Sequence, residues 1–174
     1  MQEVSEGNLD AMSTLFERYQ KWIYNFFYQM TSNAILCEDL TQQTFYKAIK
    51  YRESYKGGKF ASWIFQIARN LGYDHFEKEK RAKKTAEELF QANQYEVETM
   101  ADNEPSEETL QLRVALQKLS AKDRELIVLS KFQNMKYKQI AEVVDSNEVA
   151  VKTKVHRAIK KLRTFYFENS HDTV

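Results

Sequence analysis

Apolar residues recur in steps of three and four along most of this chain. From Leu9 they fall at Met12, Leu15, Phe16, Tyr19, Trp22, Ile23, Phe26, Phe27 and Met30, which predicts a long amphipathic helix with a wide buried face. Thr31, Ser32 and Asn33 are turn and capping residues, after which Leu36, Leu40, Phe45, Ala48 and Ile49 mark a second helix ending near Tyr51. The other face of that helix is polar, with Glu38, Asp39, Gln42 and Gln43. Glu53 to Lys59, holding Gly57-Gly58, reads as a loop. A third helix is expected from Phe60 to Lys80, with Phe60, Ile64, Ile67, Ala68 and Leu71 inward and Trp63, Gln66, Asn70, Tyr73 and Asp74 on the opposite side.

Periodicity then fades. Residues 82–108 carry sparse apolar positions and the single proline, Pro105, and read as a linker with at most one short helix. Helical spacing returns at Leu112, Ala115, Leu116 and Leu119, and Ser120 followed by Asp123 resembles a capping box opening the next helix, with Leu126, Ile127, Leu129 and Phe132 as its apolar side. Asn134 to Lys136 turns the chain into a short helix, Tyr137 to Val144. Asp145-Ser146-Asn147 is then a tight turn before a last helix from Glu148 to Phe167.

Composition narrows the picture. With 4 Gly and 1 Pro in 174 residues, the many turns of a β sandwich or of repeated βαβ units are not provided for, so an all-α fold is expected, and the length allows one ordinary domain or two small ones. Its 43% hydrophobic content is ample for packed cores. The lone Cys37 rules out an internal disulfide or a cysteine-based zinc site, no cluster of His, Cys and carboxylates has metal-ligand spacing, and no cofactor is expected. The absence of a long apolar run predicts a cytoplasmic protein with no membrane insertion of its own.

The net charge of +1 is an average over opposites. Residues 51–84 carry 9 basic against 4 acidic groups, residues 85–112 carry 8 acidic groups and no basic one, and residues 113–163 carry 13 basic against 5 acidic. Two basic blocks around an acidic one suit two polyanion-binding modules whose connection must not bind the same polyanion. Solvated helix faces alone account for part of that asymmetry.

Tyr137 to Leu162 has the pattern of a helix-turn-helix. Ile140, Ala141 and Val144 are placed to pack on Val151, Val155, Ile159 and Leu162, which leaves Val149, Ala150, Lys152, Thr153, His156, Arg157 and Lys160 outward. Small and basic residues at the start of an exposed helix suit a major groove, because bulk there would hold the helix away from base edges. A basic helix in a generic bundle has the same pattern.

Two sets of residues resemble bacterial sigma factors of the extracytoplasmic-function group, in the sigma-70 family. In the first half these are Glu38-Asp-Leu-Thr-Gln-Gln-Thr-Phe-Tyr-Lys-Ala48 and Phe60-Ala-Ser-Trp-Ile-Phe-Gln-Ile-Ala-Arg-Asn70; in the second, Tyr137-Lys-Gln-Ile-Ala-Glu-Val-Val144, Val151-Lys-Thr-Lys-Val-His-Arg-Ala158 and Lys160-Lys-Leu-Arg163. The resemblance implies region 2 over residues 1–84, an acidic linker over 85–111, region 4 over 112–167 and a tail over 168–174. It implies a transcription initiation factor, not an enzyme, with core RNA polymerase (β′ clamp and β flap), promoter DNA and an anti-sigma factor as partners. Glu38, Asp39, Gln42, Gln43 and Phe45 would be the clamp-binding segment. The minus-ten element would be read and melted by Tyr55, Lys56, Lys59, Phe60, Trp63, Arg69, Asn70 and Tyr73, and the minus-thirty-five element by the outward face of the last helix.

Plainer roles stand beside these. Trp63 serves equally well as a core residue, and Asp39 as a first-turn carboxylate favoured by the helix dipole. Gln43 stands where the family usually has an acid, Asp145 where glycine is usual, and Val149 and Ala150 where glycine and threonine are common, so a promoter preference does not carry over.

Overall fold

The computed structural model describes residues 1–6, 8, 10–87 and 106–171. Within them the chain is helical and has no strand: α1 (Gln2–Ser5), α2 (Asp10–Thr31), α3 (Ala34–Lys50), α4 (Phe60–Glu87), α5 (Glu107–Lys118), α6 (Ala121–Ile127), α7 (Tyr137–Val143) and α8 (Glu148–His171). Contacts divide the chain into two units, Met1–Phe27 with Asn33–Glu98, and Tyr28–Ser32 with Thr99–Val174.

In the first unit α2, α3 and α4 bury one side each. Ile23, Phe26, Phe27, Leu40, Phe45, Ala48, Ile64, Phe65 and Ala68 are its core, with Phe26 standing edge-on to Phe65 at 5.6 Å. Asn33 starts α3 by accepting the Leu36 N–H at 2.9 Å. The buried hydroxyls of Thr41 and Thr44 donate back to the carbonyls of Cys37 and Leu40 at 2.6 and 2.7 Å, which lets two polar side chains sit inside. Between α3 and α4, Gly57 and Gly58 take φ of 92° and 86°, a region closed to most side chains.

Two assignments along this unit change. Trp22, counted within the apolar stripe of α2, is 46% exposed, because Ile23, one position and about 100° further round the helix, takes the inward place. On α4, Phe65 is fully buried while Ile67 is only half-buried, so the core stripe is Phe60, Ile64, Phe65, Ala68 and Leu71.

In the second unit α5 begins at Glu107, ahead of the expected Leu112. Ser106 accepts the Thr109 N–H at 3.3 Å, and Glu107 and Glu108 lie in the first turn, where the helix dipole favours acids. Ser120 opens α6 as expected, accepting the Asp123 N–H at 3.2 Å. Leu116, Leu119, Ile127 and Ala158 form a core cluster flanked by Leu112, Ile159, Leu162 and Phe165. Arg124 closes the end of α5, donating from Nε to the Leu116 carbonyl at 2.9 Å and from Nη2 to the Gln117 carbonyl at 2.8 Å. Burial lowers the pKa of this guanidinium from its usual value.

Past α6 the helix widens into a π-turn over Val128–Phe132, where the Gln133 N–H reaches the Val128 carbonyl at 3.0 Å. The extra residue rotates the chain beyond it. Phe132, expected on the apolar side, is 37% exposed, and Gln133 is buried in its stead. Similarly Val143, not Val144, joins Ile140 and Ala141 in the core beneath α8. Asp145 occupies the left-handed region at φ 50°, as the turn requires.

The boundaries expected at 84 and 112 therefore fall inside helices. The alternating charges at Glu77, Lys78, Glu79 and Lys80 include no Gly or Pro to stop α4, which runs to Glu87. Leu9 at the head of the first stripe, residues 88–105 with Pro105 and most of the expected linker, and 172–174 of the expected tail lie outside the described residues.

Candidate nucleic-acid and protein interfaces

Three outward faces carry the chemistry. The first is on α3, where Glu38, Asp39, Gln42 and Gln43 are all exposed. Gln43 Nε2 donates to Asp39 Oδ2 at 2.7 Å, so the glutamine that stands where an acid is usual holds the neighbouring carboxylate in place. Phe45 does not belong to this face. It is 4% exposed, with its ring 4.8 Å from Phe16, and helical spacing puts it with Thr41 and Ala48 on the buried side. Its role is to fasten α3 to α2. In its stead, Ile35 and Tyr46 stand 69% and 66% exposed on the same side as Asp39 and Gln42. Steps of four, three and four residues join these positions, a signal legible in the sequence once the face is chosen.

The second face combines the loop after α3 with the start of α4. Tyr55 donates its hydroxyl to the Gly58 carbonyl at 2.7 Å, closing the loop on itself. The Tyr55 ring stands 5.4 Å from Trp63 at 71°, and Trp63 stands 5.9 Å from Phe60. Trp63 is half-buried: one side of the ring leans on the rings of Tyr55 and Phe60, and the rest meets solvent. Phe60, 9% exposed, supports this surface from below. Two turns on, Asn70 is exposed, and the Arg69 guanidinium lies 4.8 Å over the half-buried Tyr73 ring. Lys56 and Lys59 are exposed beside the loop. Rings, an amide and cations thus share one surface, the combination that stacks an unpaired base, bonds its edge and grips phosphate.

The third face is on α8. Val151, Val155 and Ala158 are buried against the unit, and Val149, Lys152, Thr153, His156, Arg157 and Lys160 are exposed; Ala150 is half-buried at the turn. Val149 is 76% exposed. Asn147 caps the helix through the Ala150 N–H at 2.8 Å. Lys154 is exposed as well, and Lys136 and Lys138 are exposed at the start of α7; these three were not among the expected contacts. Burial on one side only, with small and cationic residues outward, is what a helix in a major groove needs. Among the described residues no group of His, Cys, Asp or Glu is arranged to hold a metal ion, and no helix is long and apolar enough to cross a membrane.

Residues 15–82 match the model of Sigma-70 region 2, and residues 109–162 that of Sigma-70, region 4. The chain is 30% identical to the RNA polymerase sigma factor CarQ of Myxococcus xanthus, covering 94% of this chain and 93% of that protein. It is 28% identical to the ECF RNA polymerase sigma factor SigM of Bacillus subtilis, covering 93% and 99%. With the ECF RNA polymerase sigma factor BldN of Streptomyces coelicolor it shares 30% identity but spans only 62% of that longer protein. Among solved structures, the sigma factor RpoE of Bartonella quintana, in complex with the anti-sigma factor NepR, has the same fold, with a TM-score of 0.74 at 24% identity over 88% of this chain and 94% of that one.

Two helical units that match Sigma-70 region 2 and region 4, the second ending in a helix-turn-helix with a basic outward face, place the chain in the class of DNA-binding transcription initiation factors. Its relatives say which: the chain belongs to the extracytoplasmic-function group of the sigma-70 family. Members of that family are promoter-specific initiation factors of RNA polymerase.

Proposed function

We propose that this chain binds core RNA polymerase through the exposed face of α3, holds the melted minus-ten strand on the loop 55–60 and α4, and reads the minus-thirty-five duplex with α8. The observation that carries this reading is the pairing of two unlike surfaces on one chain: rings with an amide on α4, and a bare basic helix face on α8. One suits unstacked bases and the other an intact groove. Ile35 and Tyr46 supply the apolar part of the α3 surface, and Asp39, steadied by Gln43, its charge. The second unit rests on the β flap, the chain works in the cytoplasm, it contributes no catalytic residue of its own, and an anti-sigma factor holds it back until it is needed.

The test is transcription itself. Added to core polymerase, the chain should yield run-off product from its own promoters. Asn70→Ala should leave holoenzyme assembly and closed-complex formation intact while reducing permanganate-reactive, melted promoter. On a template already mismatched across the minus-ten element most of that defect should vanish. A chain that binds promoter DNA specifically and ignores core polymerase would instead be a free-standing regulator.

A further inference from the structure

The rings on α4 do not end at Phe60. Tyr19, on α2, stands 5.0 Å from Phe60 at 72°, and Trp22, one turn further along α2, stands 6.1 Å from Tyr19 at 69°. A continuous seam therefore runs Tyr55–Trp63–Phe60–Tyr19–Trp22 across three segments of the first unit, half-buried at its loop end and 46% exposed at Trp22. A single exposed tryptophan needs no explanation by itself. This one terminates a run of rings, three of its four contacts edge-on and one tilted, that begins on the minus-ten surface.

Its neighbours repeat the chemistry of that surface. Arg18, Lys21, Trp22 and Asn25 share one side of α2 by helical spacing, and all four are exposed. Glu17 is the only acid between Asp10 and Thr31. Cations, a ring and an amide thus recur together, as they do around Trp63, Arg69 and Asn70.

We propose that Trp22, with Arg18, Lys21 and Asn25, is a second single-strand DNA subsite, on which a further base of the melted promoter strand stacks after it leaves the Trp63 surface. This rests on the minus-ten reading of α4 given above. Charge selects the occupant, since Arg18 and Lys21 at this end and Lys56 and Lys59 at the other favour a polyanion crossing the seam. Ring faces accept any base, so the subsite adds grip without adding sequence preference.

The experiment uses holoenzyme on synthetic promoters whose unpaired strand carries 2-aminopurine at one position at a time. A base stacked on Trp22 is quenched, and Trp22→Ala should relieve quenching at one position that Trp63→Ala leaves alone, with roughly a 5- to 150-fold loss of affinity for the unpaired strand. Trp22→Phe, which keeps a ring, should restore most of it. Arg18→Gln with Lys21→Gln should flatten the salt dependence, by about 0.7 in log-log slope for each lost contact. If no position responds to Trp22→Ala while Trp63→Ala has its effect, Trp22 is an ordinary surface ring and the proposal falls. If Trp22→Ala weakens binding to core polymerase and not to DNA, the occupant is protein and the proposal falls likewise. A response to Trp22 with none to Trp63 keeps the subsite and overturns the α4 reading; silence at both overturns the two together.

Discussion

On α4 the outward face is built of rings that lean on rings: Trp63 is held between Tyr55 and Phe60, and the Tyr73 ring lies under a guanidinium. On α8 the outward face has no Phe, Tyr or Trp within its first three turns, and its side chains reach into solvent from Val149 to Lys160. The difference follows from the state of the ligand each face is proposed to meet. An extruded base loses its stacking partners, so the protein must hold a flat surface ready, and rings braced by neighbours lose little entropy when a base arrives. A paired duplex keeps its own stacks, so the protein needs only to come close and to match phosphates and base edges. Rigidity is useful on the first face and slenderness on the second.

The bracing can be separated from the contact on α3, where the largest effect is expected. Phe45→Ala removes a buried ring and should cost about 3–5 kcal/mol of stability, read as a fall in the unfolding midpoint of the free chain. Asp39→Ala with Gln42→Ala should change stability by no more than about 0.5 kcal/mol while weakening core polymerase binding. If the double variant kept full polymerase affinity, the clamp role would move from the polar residues to Ile35 and Tyr46 alone.

A smaller effect should divide α4 from α8 directly. Trp63→Ala should lose about 1–3 kcal/mol of binding to the unpaired minus-ten strand and leave affinity for an isolated minus-thirty-five duplex untouched. Lys152→Ala or Arg157→Ala should do the reverse, each lowering the log-log salt slope of duplex binding by about one. Equal losses on both ligands from either variant would collapse the distinction between the faces.

The smallest effect concerns Val149. An apolar side chain that exposed, at the start of the helix proposed to read the groove, suits the methyl group of a thymine. Replacing that thymine by uracil, which deletes only the methyl, should weaken binding by about 1 kcal/mol in the parent and by nothing in Val149→Gly. Equal sensitivity in both would assign Val149 no part in base choice.

Much of this architecture is legible without coordinates. Three- and four-residue spacing marks α2, α3, α4 and α8 because each buries one wide stripe, and local side chains such as Asn33 and Ser120 set helix starts as their chemistry dictates. Periodicity errs where a face is too broad to have a sharp edge. Trp22 and Ile23 are adjacent and both apolar, and only packing decides which turns in. It errs again where the helix itself changes pitch, since nothing in Val128 to Phe132 announces an extra residue in the turn. The family resemblance brings the polar residues of the α3 face but carries Phe45 along with them. It passes over Ile35 and Tyr46, because a motif says which residues recur and not which of them face out.

The π-turn before the helix-turn-helix acts as a phase shifter. Each residue of a regular helix advances the chain by about 100°, so one inserted residue re-aims everything downstream by that angle without altering any side chain. The sequence of α7 and α8 is thus presented through an offset of one register, with Gln133 tucked in and Phe132 turned out as its visible trace. Deleting a single residue between Val128 and Phe132 would return the segment to α-helical pitch and swing α7 and α8 together out of register with the core before the turn, parting Ala158 from Leu116, Leu119 and Ile127. The outward face of α8, with every side chain intact, would then be held at another angle, which makes the spacing of this turn as much a determinant of the proposed promoter binding as the residues proposed to touch the DNA.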